Sequence, residues 1–251
     1  MKLFSAGKTA VIIIIVIFIS LTLPLPQTVE AESYMSMARK YYYGDGTPKN
    51  MEKALGLYLK AAESGNVDAM FIAGGMYMRG LGTKVNRAEA FKWLYNAAIN
   101  GRSSKESERI LAEFFITGQN APQNYDEALR WYEKAAKRGD LEAQSELGFF
   151  YFTGNLVEKD YVKARNWFEM AARNGYPMAQ YNMGILWYTG NGVETVDMVK
   201  AYAWFSLAAA NGNSSGEVAR RFLETRLSRE ERIAAQKLSK DLYMEIKRLK
   251  R

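Results

Sequence analysis

The sequence predicts an all-α protein of five helix-turn-helix repeats, closed by further helix at its C-terminal end. Three observations predict it. Glycines recur in register at Gly44, Gly80, Gly118, Gly154 and Gly190, with spacings of 36, 38, 36 and 36 residues. A second series, Gly65, Gly101, Gly139, Gly175 and Gly212, closes the other half of each copy. Between the two series, apolar residues follow a helical period rather than a strand alternation. A fixed period of this size marks stacked supersecondary units, each burying its apolar face against the next. Such an array offers an extended binding surface rather than one deep catalytic pocket.

The chain opens with a separate signal. Lys2 and Lys8 lead into a charge-free stretch of 21 residues from Thr9 to Val29, most apolar from Ala10 to Ile19 and broken by Pro24 and Pro26. Val29-Glu30-Ala31 then offers modest side chains where a signal peptidase reads. Residues 1–31 are expected to be a secretory signal peptide cut after Ala31. The stretch is also long enough to span a bilayer, so retention as an N-terminal anchor is the alternative. Either way the lysines stay inside and the body is exported. The sequence contains no Cys, which excludes a lipid-modified N-terminal cysteine.

In the first half of each repeat, small residues line up at Ala38, Gly74, Ala112, Gly148 and Gly184. Aromatics follow three positions later at Tyr41, Tyr77, Phe115, Tyr151 and Trp187, and the closing glycine three after those. Asn66 and Asp140 stand where a helix cap belongs, and Pro177 falls at a first helical position, where its missing N–H costs nothing. Gly44-x-Gly46, Gly80-x-Gly82 and Gly190-x-Gly192 make the turn into the second helix. No strand precedes them and no Lys-Ser/Thr follows, so they are not phosphate loops. The third and fourth copies carry Asn120 and Leu156 instead of the second glycine, as a turn tolerates.

The second half begins at Asn50, Asn86, Asn124, Asp160 and Asp197, all side chains that cap exposed backbone N–H groups. Glu89 and Glu127, three residues on, are placed to complete capping boxes. One helical face then carries Ala54, Ala90, Ala128, Ala164 and Ala201. Leu57, Trp93, Trp131, Trp167 and Trp204 follow, then Tyr58, Leu94, Tyr132, Phe168 and Phe205, then an alanine pair. Small residues let helices approach and the aromatic pair fills the gap between them.

The patterns Ala-x4-Gly-x2-Tyr-x2-Gly-x-Gly and Lys-Ala-x2-Trp-Tyr-x2-Ala-Ala-x2-Gly resemble the Sel-one-like repeat (SLR) family, a longer-looped relative of the tetratricopeptide repeat. The fourth copy (Ala143–Gly154, then Lys163–Ala172) and the last (Lys200–Gly212) carry the resemblance, which covers about residues 33–216. It implies a right-handed α-solenoid over residues 32–216 and a role in protein–protein interaction. It implies no chemistry.

Beyond the repeats, residues 217–251 are expected to form a helical cap. Ser228 and Glu231 have capping-box spacing, and Leu238, Leu242, Ile246 and Leu249 form an apolar stripe to cover the last repeat. A partner-docking or membrane-surface helix is the sharper alternative. This segment holds eleven Lys/Arg against six Asp/Glu, so it supplies +5 of the net +7. A solvated basic helix face is the expectation here, not nucleic-acid binding.

Composition narrows function further. With 48% hydrophobic residues the chain can bury a core, and with no His and no Cys it lacks imidazole and thiolate altogether. That excludes Ser-His-Asp triads, Cys-His nucleophiles and the usual zinc sites. The sequence assigns no catalytic, metal or cofactor residue and implies no cofactor.

If the first helices line the inner surface, as tetratricopeptide architecture implies, three columns face inward. One residue after the small column stand Arg39, Gly75, Glu113, Phe149 and Ile185. One after the aromatic column stand Tyr42, Met78, Ile116, Phe152 and Tyr188. Three before the small column stand Met35, Phe71, Arg109, Ser145 and Tyr181. Phe71, Met78, Arg109, Ile116, Phe149, Phe152, Tyr181, Ile185 and Tyr188 are the candidate partner-binding residues. Their apolar, aromatic run toward the C-terminal repeats suits a groove for a peptide or helix of another exported or membrane protein. Burial between repeats is the competing fate for the same side chains. A non-enzymatic adaptor is therefore the expected function, with a membrane-anchored organiser as the alternative. Paired carboxylates such as Glu113 with Glu146, acting on cell-wall polymer, are a remoter one.

Overall fold

The computed structural model describes residues 26–249, which form helices and the turns between them. The signal-peptide segment lies outside the described residues, apart from its last positions. Those belong to the first helix, where Ala31 is buried and Glu32 accepts a hydrogen bond from the Asn66 side chain at 3.1 Å. Among the described residues no helix is long and apolar enough to cross a membrane.

The chain divides into two compact units at Ser103/Ser104. The first holds α1 (Pro26–Tyr43), α2 (Met51–Glu63), α3 (Val67–Arg79) and α4 (Arg87–Ile99). The second holds α5 (Lys105–Thr117), α6 (Tyr125–Lys137), α7 (Leu141–Thr153), α8 (Tyr161–Arg173), α9 (Pro177–Thr189), α10 (Met198–Ala210), α11 (Ser214–Glu224) and α12 (Arg229–Leu249). Within each unit each helix packs on the next in sequence as far as α11, and α12 packs back on α10.

The helix ends follow the sequence chemistry. Asn50, Asn86, Asn124, Asp160 and Asp197 each accept a backbone N–H of their helix's first turn, and Asn66 and Asp140 do so for α3 and α7. Gly80, Gly118, Gly154 and Gly190 end the first helices in the left-handed conformation. Asn120 and Leu156 hold positive φ of 68° and 72° where the other copies use glycine, so the turn persists without it. The expected capping boxes at Glu89 and Glu127 do not form. Glu89 instead accepts the Trp93 indole N–H at 3.0 Å, and Glu127 pairs with Arg130. Side chains four or three positions on compete for these carboxylates and win. A reciprocal Ser104/Ser107 box caps α5, and Ser228/Glu231 cap α12 as the spacing indicates.

The core is the seam between the small column of each first helix and the aromatic column of its partner. Ala54, Ala90, Ala128, Ala164 and Ala201 are all 0% exposed. Gly148 shows why the column must be small: a Cβ there would stand 2.5 Å from the Phe168 ring, and Gly184 meets Phe205 in the same way.

The C-terminal cap has two helices where the sequence reading expected one. Asn213 caps α11 as Asn66 and Asp140 cap earlier first helices, so α11 begins a sixth copy that never acquires its second half. α12 takes that place, setting Ile246 and Leu242 against the cluster around Phe168, Met183 and Trp204.

Candidate functional site

The three inward columns divide by geometry. Positions three before the small column lie on the same helix face as that column. Met35 and Ser145 are accordingly buried in the core, which corrects their assignment to an accessible surface. Phe71, in the same column, is half-buried beneath the Arg102 guanidinium, 5.1 Å from its ring centroid. Met78 is half-buried on α3, and Arg39 is exposed on α1. Phe149 is exposed on α7, while Phe152 is half-buried with its ring edge-on to Tyr161 at 5.5 Å.

In the second unit the remaining candidates gather into two openings. Between α9 and α11 an apolar groove of about 450 Å³ is walled by Tyr181, Ile185 and Tyr188 on one side. Val218, Ala219 and Phe222 form the other wall, and Phe205 of α10 lies beneath. Tyr188 and Phe222 meet edge to face at 6.2 Å, and the Arg226 guanidinium covers the outer face of Phe222. The α11 wall was not legible as part of a site, because residues 214–216 read as the end of the last repeat. The Asn213 cap was the signal that could have found it.

Between α5 and α7 lies a second opening, about 340 Å³, lined by Arg109, Glu113, Ile116, Glu142, Glu146 and Phe150, with Tyr132 of α6 as its floor. Arg109 is the hub. It bonds Glu113 and approaches Asp140 at 3.5 Å and Glu142 at 3.3 Å. Burial opposes its charge, but Glu113, Glu142 and Asp140 more than offset that and raise its pKa. Glu146 is held above the ordinary carboxylate range, first by burial and then by Glu142 and Glu113, with Arg109 opposing. Burial, reinforced by Glu113 and Glu146, pushes the Tyr132 hydroxyl well above its usual range. Glu113 and Glu146, paired in the sequence reading, thus share one cavity. Among the described residues no group of acidic side chains is arranged to hold a metal ion.

An ordered array of helix pairs with grooves between successive first helices defines an all-α helical repeat solenoid. A model of the Sel1 repeat matches residues 30–66, 67–101, 105–140, 141–176 and 177–213, and the chain belongs to the Sel1 repeat family. Its fold is similar to a Sel1 repeat protein from Oxalobacter formigenes, at 33% identity and TM-score 0.62, over 79% of this chain and 80% of that one. It is also similar to a protective antigen of uropathogenic Escherichia coli with an SLR fold, at 26% identity and TM-score 0.56, over 86% of this chain and 54% of that one. In sequence it is 36% identical over 102 residues to an uncharacterized Neisseria meningitidis protein, covering 41% of this chain and 20% of that protein. The chain spans 20% and 48% of the length of the first two curated relatives it matches. The fold commonly mediates protein–protein interaction, and Sel1 repeat scaffolds are generally non-enzymatic.

Proposed function

We propose that this chain is a non-enzymatic adaptor of the cell envelope that holds a peptide or helical segment of another exported or membrane protein on the face formed by its first helices. The observation that carries the reading is the groove between α9 and α11. Three residues singled out from the repeat pattern, Tyr181, Ile185 and Tyr188, form one wall of a single apolar opening. An apolar groove edged by aromatic rings suits side-chain anchors of a docked segment. The envelope location rests on Lys2, Lys8 and the apolar stretch that follows them. A hydrolase reading is weaker: Glu113, one of the two carboxylates it needs, is engaged by Arg109 and serves as its counter-ion.

Capture of partners from intact cells by crosslinking and mass spectrometry tests the proposal. The Ile185→Ser/Tyr188→Ser variant should retain its helical content and lose its crosslinked partner. Undiminished capture by that folded variant would remove the groove from the account.

A further inference from the structure

The cavity between α5 and α7 occupies the same slot of the repeat as the apolar groove, two copies earlier. Arg109, Glu113 and Ile116 stand where Tyr181, Ile185 and Tyr188 stand 72 residues later. Only the chemistry differs. Four carboxylates, Glu113, Asp140, Glu142 and Glu146, gather around one guanidinium, Arg109, which leaves a surplus of negative charge. Glu142 and Glu146 lie four apart on α7, where like charges disfavour each other. Among the described residues the Glu146 carboxylate has no hydrogen bond or ion pair.

A second, independent observation points into the same space. Tyr132 forms the floor and is 5% exposed, with its ring packed edge-on against Phe150. Its hydroxyl has no hydrogen-bond partner among the described residues. The charges that act on it are those of Glu113, Glu146, Arg109 and Glu142, so it sits among them. The hydroxyl is not sealed in the core: Tyr132 lines the opening, and its oxygen is not among the buried side-chain oxygens left without a partner, so a donor entering the cavity can reach it.

We propose that this cavity is a subsite for a cationic side chain, the guanidinium or ammonium group of an arginine or lysine on a bound peptide. Such a group donates to Glu146 and Glu142 in charge-assisted hydrogen bonds, and the phenol oxygen of Tyr132 accepts from it. Arg109 already shows that these helices hold a guanidinium between carboxylates from α5 and α7. The proposal rests on the adaptor reading for the ligand being a peptide. It adds that a basic residue of the partner segment docks two repeats before its apolar anchors.

The test titrates the full chain with the peptide acetyl-Ala-Ala-Arg-Ala-Ala-amide and with its twin carrying citrulline, which keeps the shape and removes the charge. The Tyr132 ring signals, assigned with Tyr132→Phe, are followed by NMR. The arginine peptide should shift them saturably, and the citrulline peptide should bind about tenfold more weakly or worse. Raised salt should weaken the arginine peptide, and Glu142→Gln/Glu146→Gln should abolish its binding. Equal binding of the two peptides, no saturable response at Tyr132, or full binding by the glutamine variant would each overturn the subsite. Should the glutamine variant fail to fold, the contrast between the two peptides on the unmodified chain decides alone. Partner capture that needs the α9–α11 groove while both peptides bind alike removes the subsite only. Arginine preference with capture indifferent to Ile185 and Tyr188 removes the groove only.

Discussion

Glu146 concentrates the physics of the cavity between α5 and α7. Burial, then Glu142 and Glu113, hold its pKa above the ordinary carboxylate value, while Arg109 opposes them; Tyr132 and Tyr176 also face this cluster. The folded chain therefore keeps a proton that the unfolded chain releases earlier as pH rises. Stability falls as pH rises from the ordinary carboxylate value through the raised one, and the penalty persists above that window. Glu146→Gln removes it. Its melting temperature should exceed that of the parent at neutral pH, and the gap should close below about pH 4, where both states are protonated. A variant less stable than the parent at neutral pH would contradict this sign. The sequence offers Glu113 and Glu146 only as an example of two carboxylates on successive first helices; that they share one cavity is a matter of geometry. The sequence could not reveal the unpaired Tyr132 hydroxyl, since whether a phenol finds a partner depends on how two repeats are spaced. Glu89 and Glu127 teach the same lesson: their spacing indicated a cap, and side chains on the following turn, Trp93 and Arg130, took them.

At the scale of the element, the helix pairs were legible because every determinant is local. A cap, a small column, an aromatic column and a glycine stop recur at fixed offsets, and each has the geometry its chemistry demands. The seams of α7 on α8 and of α9 on α10 are equally tight. Gly148→Ala would set a Cβ about 2.5 Å from the Phe168 ring, so ring or helix must move. Overpacking of this kind costs about 1–3 kcal/mol, readable as a lower urea midpoint. An unchanged midpoint would show that the seam is looser than its geometry. What was least legible was α11. The terminal copy departs from the consensus, with Gly216 where Ala143 and Ala179 stand in earlier copies, and the pattern thins before the helix does. That helix turns out to supply half of the apolar groove.

For the whole molecule, periodicity made the family readable and left function to what varies between copies. The repeat fixes where grooves lie between successive first helices; the residues placed there fix what each one takes. In the second unit the same slot is charged between α5 and α7 and apolar between α9 and α11. The most direct test of the adaptor account is photo-crosslinking in intact cells from two single positions. One is Val218, an exposed residue on the α11 wall of the groove; the other is Val162, also exposed but on the second helix α8. The account predicts one discrete protein adduct from position 218 and none from 162. No adduct at 218, or the same adducts from both positions, would contradict it.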